Sequence, residues 1–149
     1  MIDAFVAYFH YLGIMLLLAA LVGEHLLLSG ELDAGRGRQL VITDVIYVVA
    51  VALVLVSGLL RLSYFGKGLA FYTSNPLFHV KMTLFVIAAI LSVYPTVQIR
   101  GMRPAVRSGQ APGLGAGMIR RLKLLVRVEL MLIASIPLLA VLMGRGFGY

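Results

Sequence analysis

Apolar and polar positions alternate in blocks along this chain: four long apolar runs, at about 4–28, 41–62, 77–99 and 122–143, are separated by three polar stretches. A helix needs about 20 apolar residues to cross the hydrocarbon core of a bilayer. Each run meets that length, and together they use most of the chain. The pattern predicts an all-α fold, an integral membrane bundle of four transmembrane helices forming a single domain over residues 1–149. The first polar stretch runs from Ser29-Gly30-Glu31 to Arg38-Gln39. The second carries the turn formers Gly66-Lys67-Gly68 and Asn75-Pro76. The third, from Arg100 to Arg121, is a basic loop rich in Gly and Pro, and its stretch from Gly109 to Gly117 reads as a flexible loop. The first apolar run lacks a basic leader and is too long for a cleaved signal, so it reads as a retained helix.

Composition sharpens this picture. The chain is 61% hydrophobic, where a soluble domain is closer to about half. It has no cysteine, which removes disulfides, thiolate metal sites and cysteine nucleophiles. The net charge of +7 does not point to nucleic acid, because the basic residues lie beside the apolar runs. Arg36, Arg38, Arg100, Arg103, Arg107, Arg120, Arg121 and Lys123 occupy the first and third polar stretches. Arg61, Lys67 and Arg145 serve the second stretch and the C-terminal tail. The positive-inside rule then puts the first and third stretches in the cytoplasm and both termini outside.

With that topology the intramembrane polar residues fall at two depths. The inner group is Glu24, His25, Asp44, Tyr47, Arg127 and Glu129. Ionisable groups inside a bilayer pair with one another or face the bundle interior, and Asp44 with Arg127 is the pair expected here. Tyr47 lies one turn from Asp44 and can hydrogen-bond into the group. The bland reading is an ionic network fixing helix register; the sharper one is a proton path or quinone-side site. The outer group is His10, His79 and Lys81, with Arg61, Lys67, Tyr64 and Tyr72 nearby. An imidazole is a good axial ligand for haem iron, four-helix bundles hold such sites between facing helices, and the cations suit propionates. No acid lies at this depth, which disfavours a carboxylate-rich metal site.

His10 is the first candidate ligand. The second is open between His79 and Lys81, which point about 200° apart on a helix. The face through Lys81 continues to Ala88, Ser92 and Pro95, small and polar as an interior face should be. The face through His79 continues to the bulkier Met82, Val86 and Val93. A weak repeat favours His79 instead: Phe9-His10 with Ala19-Ala20, and Phe78-His79 with Ala88-Ala89 at the same offset, as a duplicated two-helix unit would give.

Two resemblances follow. Phe9-His10-Tyr11-Leu12-Gly13-Ile14 and Phe78-His79-Val80-Lys81-Met82-Thr83-Leu84 resemble the signature segments of HemJ, a four-helix protoporphyrinogen oxidase of bacteria that binds haem b. That resemblance implies haem b on His10 and Lys81, oxidoreductase chemistry, and multi-pass residence in the bacterial cytoplasmic (inner) membrane. Where HemJ has an aromatic segment ending near Arg and His, and later a Tyr-His pair, this chain reads Ala20-Leu21-Val22-Gly23-Glu24-His25 and Ser92-Val93-Tyr94-Pro95. Haem binding therefore carries over better than the oxidase activity. Nearly the whole chain is similar to the membrane family of domain of unknown function 2214, through His10-Tyr11-Leu12-Gly13, Asp44 with Tyr47, Gly58-Leu59-Leu60-Arg61, Lys67-Gly68, Lys81, Tyr94-Pro95-Thr96, Glu129 and the tail from Met143 to Gly146.

The expectation is a haem b-binding membrane protein with a redox role, exchanging electrons with quinone, a porphyrin or a partner protein. Two rivals stand beside it. One is an accessory subunit or assembly factor of a larger membrane complex or homo-oligomer. The other is a small proton-coupled transporter using the inner group.

Overall fold

In the computed structural model, which describes residues 1–65 and 68–148, the described residues form helices joined by short connections. Helix α1 spans Ile2–Leu27 and α2 spans Ala34–Leu60, continuing as a π-helical turn over Arg61–Phe65. A short α3, Leu69–Thr73, precedes α4, Pro76–Gly101. A second short helix, α5, Arg103–Arg107, leads toward α6, Ala116–Gly144. Four segments are long and apolar enough to cross a membrane: Ile2–Leu27, Ala34–Phe65, Pro76–Arg107 and Ala116–Gly144.

The helices reach further into the polar stretches than the apolar runs alone indicate. α2 starts at Ala34 rather than near Val41 because Asp33 caps it, its carboxylate accepting the Arg36 N–H at 2.7 Å. Gly37 then lies buried under Pro112, so close that a Cβ there would stand 2.6 Å from the proline ring. The basic third stretch, expected to be a loop from Arg100 to Arg121, holds the end of α4, all of α5 and the first turn of α6, with residues 108–115 between them outside any helix. Gly109, at φ +74°, makes the left-handed turn after α5.

α1 pairs with α2 and α4 with α6, each pair an antiparallel hairpin, and these are the two most extensive contacts in the bundle. α6 also touches α1, and α2 touches α4. Among the described residues the backbones of α1 and α4 do not approach closely, so they sit diagonally across the bundle. Gly13 lets α1 and α2 approach closely, since a Cβ on it would lie 2.9 Å from Val54 Cγ2 and 3.3 Å from the Val54 backbone nitrogen. Small residues at such crossings are the usual device of membrane helices.

The core is a set of stripes at helical spacing: Leu17 and Leu21 on α1 with Leu28 at its C-cap, Leu40, Ala50 and Val54 on α2, Ala88 and Ile99 on α4, Leu122, Val126 and Ile133 on α6. The outer faces carry exposed apolar side chains such as Met15, Val49, Ile90 and Met131. In a bilayer that surface is the solvated one, since lipid is as apolar as leucine.

Asn75 ties one end together. Its Oδ1 accepts the Leu77 N–H at 2.9 Å, capping α4, while its Nδ2 donates to the Phe147 carbonyl at 3.0 Å. Asn75→Ala is expected to cost about 1 kcal/mol through the lost cap and to release the C-terminal tail. Faster amide exchange confined to residues 144–148 and the first turn of α4 is the check.

Two prolines interrupt the second hairpin, Pro95 inside α4 and Pro137 inside α6. Each removes the N–H that the carbonyl four residues earlier, Leu91 or Ile133, would accept.

Candidate functional site

The outer group assembles around His10. The ring is half-buried against α2, and its Nδ1 lies 3.0 Å from Ser57 Oγ. Ser57 has one hydroxyl proton, which it donates to the Leu53 carbonyl one turn earlier. With that proton on the Leu53 carbonyl the oxygen is left to accept from His10, which suits the tautomer that protonates Nδ1 and keeps the Nε2 lone pair. Gly58 makes room for this arrangement: a Cβ there would meet His10 Cε1 at 3.1 Å. The result is an imidazole oriented by a neighbouring hydroxyl on one ring nitrogen, as metal-bound histidines are by their outer partners.

Two cations reach this ring electrostatically, Arg61 from the π-helical turn of α2 and Lys81 from α4. Arg61 also acts on Lys81, so the three side chains form one group. The Arg61 guanidinium stands 5.3 Å from the Tyr11 ring centre, and the Lys81 ammonium 5.3 Å from that of Phe78, both at cation–π range. π-Helical turns inside longer helices frequently sit at functional positions. Here the turn directly follows the stripe that carries Ser57 and Gly58.

His79 and Lys81 part company. His79 is exposed, with Nε2 2.9 Å from the Thr73 carbonyl. Lys81 is half-buried, on the side of α4 that also buries Ala88, Pro95 and Ile99. Met82, Val86 and Val93 are exposed. The two hairpins accordingly do not repeat their facing. Ala20 is buried and Ala19 exposed on α1, whereas Ala88 is the buried member of its pair on α4. Lys67 falls outside the described residues.

The inner group lies about 21 Å further along α1, counting 14 residues from His10 to Glu24 at the helical rise. It is built into the core stripes themselves. Glu24, Asp44 and Glu129 are 3%, 0% and 2% exposed, and each occupies a stripe position flanked by buried leucine or valine. Tyr47 donates its hydroxyl proton to Glu129 Oε1, and Ser92 of α4 stands beside the same hydroxyl. Glu24 faces both Asp44 and Glu129.

The cation of this group is Arg100 of α4, whose Nε is 3.3 Å from Asp44 Oδ2. The expected Asp44–Arg127 pair does not form. Arg127 follows the buried Val126 on α6, and one residue's rotation of about 100° turns it to the exposed side. Of the three carboxyl groups from α1, α2 and α6, Asp44 is the one paired with this guanidinium among the described residues. Glu24 Oε1 and Asp44 Oδ1 are buried without a hydrogen-bond partner among the described residues. So is His25 Nδ1, and no hydrogen bond brings that ring to the carboxyls.

Two participants escape a reading of the sequence. Ser57 is legible only as the hydroxyl continuing the Tyr47, Ala50, Val54 stripe of α2. Arg100 reads as a loop cation because the third apolar run stops at Ile99, whereas α4 carries on past it. An apolar layer of Leu17, Val51, Phe85, Ala88, Ala89 and Ile133 lies between the two groups, closing over the Tyr47 ring. Among the described residues no three His, Asp or Glu side chains lie close enough to share a metal ion. A metal at His10 would thus have to bring most of its own coordination sphere.

No curated protein and no solved structure matches the chain. A family model does: the one described as "Predicted membrane protein (DUF2214)" matches residues 2–148, nearly the full length, and the chain belongs to that family.

Proposed function

We propose that the chain is a haem b-binding membrane protein with a redox role, in which His10 and Lys81 would hold the haem iron. The observation that carries this reading is the 3.0 Å contact of the half-buried His10 Nδ1 with Ser57 Oγ, which suits the tautomer with Nε2 as nitrogen donor. A porphyrin supplies four equatorial nitrogens, so one or two axial donors from the protein suffice. Lys81 comes from the helix diagonal to α1, on its inward side, and His79 is engaged with the Thr73 carbonyl. Arg61, and Lys67 in the same connection, supply positive charge for propionates.

When bound, haem supplies one-electron chemistry. The chain's own residues hold and orient it: Ser57 fixes the imidazole, Gly58 admits it, and Arg61 balances charge. Residence in the bacterial cytoplasmic membrane, and quinone or a porphyrin as electron partner, belong to the same reading. Porphyrinogen oxidation is its most specific form.

The test is the absorbance spectrum of the full chain purified in detergent after expression with haem precursor. A Soret band is expected in the wild type and in His79→Ala, with a loss of at least about tenfold in His10→Ala, as removal of a metal ligand or its support commonly costs about 10–100-fold in affinity. A colourless wild type that also fails to take up added haemin overturns the proposal, as does a His10→Ala variant that keeps the band.

A further inference from the structure

A groove lies at the opposite end of the described molecule from His10. It has a volume of about 610 Å³ and lies between the first turns of α2 and the short helix α5. Arg38, Arg103 and Arg107 contribute its polar lining, and Val41, Ile42 and Val45 its apolar wall. Among the described residues the ion pairs are those of the Met1 amino group with Asp3 and of Arg100 with Asp44. The three groove arginines therefore have no carboxylate partner there. Arg103 Nε is in addition buried with no hydrogen-bond partner among the described residues. A buried charged donor left unsatisfied is costly, so an anionic acceptor is what this position lacks.

The apolar wall says which kind of anion. Ile42 and Val45 are 50% and 42% exposed and lie on a membrane-spanning segment. From Arg38 to Val45 the wall runs seven residues, about 10 Å along α2, from the charged rim toward the hydrocarbon. A small inorganic anion has no use for such a wall. A phospholipid has one: its phosphate meets the guanidiniums, whose planar forks suit phosphate oxygens, and an acyl chain lies along Ile42 and Val45.

We propose that this groove binds one anionic phospholipid from the leaflet at the arginine-rich end. The site differs from a diffuse basic surface in being concave and in combining three arginines with an apolar wall. It is independent of the haem reading.

The experiment is native mass spectrometry of the full chain in detergent, titrated separately with phosphatidylglycerol, phosphatidylcholine and inorganic phosphate. One phosphatidylglycerol is expected to bind at least about tenfold more tightly than phosphatidylcholine, with inorganic phosphate not competing. Near a membrane surface each basic residue contributes enough that Arg103→Gln with Arg107→Gln should weaken phosphatidylglycerol about thirtyfold. Arg120→Gln with Arg121→Gln, exposed cations at the same end, should stay within about twofold. Equal binding of the two lipids, competition by phosphate, or equal losses in the two double variants would each overturn the proposal. Should the groove variant fail to fold, the wild-type lipid comparison and Ile42→Ser, expected to weaken phosphatidylglycerol, decide it.

Discussion

Arg100→Leu is expected to destabilise the bundle by about 3 kcal/mol, the low end of what removing one partner from a buried ion pair costs. Asp44 is the reason: its side chain is 1% exposed, and its Oδ2 has the Arg100 Nε as its charged partner at 3.3 Å. Without the guanidinium, a carboxyl stays in the core beside Glu24 and with Glu129 in the same group. The Arg100 side chain itself is 44% exposed near the end of its helix, which tempers the loss. Interhelical hydrogen bonds in membranes average well under 1 kcal/mol; the larger figure here comes from stranding a charge, not from losing a bond. Unfolding in mixed micelles measures it. Asp44→Asn should recover most of the loss in the Arg100→Leu background, giving a coupling of at least about 1 kcal/mol. Arg127→Leu, on the exposed face, should change stability by less than about 0.5 kcal/mol. A small effect at Arg100 together with a large one at Arg127 would show that Asp44 is paired the other way.

Gly13→Leu should be comparably severe, by a different mechanism. A Cβ at this position already meets Val54 Cγ2 at 2.9 Å and the Val54 backbone nitrogen at 3.3 Å. The methyl group can rotate away, but the backbone of α2 cannot. Gly13→Ala therefore needs a small separation of α1 from α2, and leucine forces a large one along the most extensive contact in the bundle. Overpacking of this kind costs about 1–3 kcal/mol. His10 lies one turn before Gly13 and Ser57 one turn after Val54, so the same separation breaks the 3.0 Å contact between them. Leucine should lower both stability and any pigment content in parallel, with alanine intermediate. Leucine with wild-type stability would refute the close crossing.

The four spans are legible in the sequence because an apolar run as long as a bilayer is thick is what a membrane-crossing helix requires and a soluble helix does not. The ends are less so, since a helix can continue through polar residues wherever a cap or a packing contact supports it. Asp33 is readable as such a cap, yet Arg36 and Arg38 make its helix look like a loop. The inward side of α4 is readable from the small residues following Lys81. The Asp44–Arg127 pairing fails for a geometric reason: equal depth in the membrane does not fix direction around a helix. The spacing Leu122, Val126, Glu129, Ile133 excludes residue 127 from the interior. Ser57 escapes notice because a lone serine in an apolar run is unremarkable until a histidine on another helix is known to face it.

The prolines make the two hairpins mechanically unlike. α1 and α2 have no interior proline, so neither loses a backbone hydrogen bond that way. α4 and α6 each lack a rung, at Pro95 and Pro137, and compliance concentrates at such gaps. Lys81 sits on a helix missing a rung, while His10 and Ser57 belong to the pair without one. A bend at Pro95 would leave the 3.0 Å His10–Ser57 contact untouched.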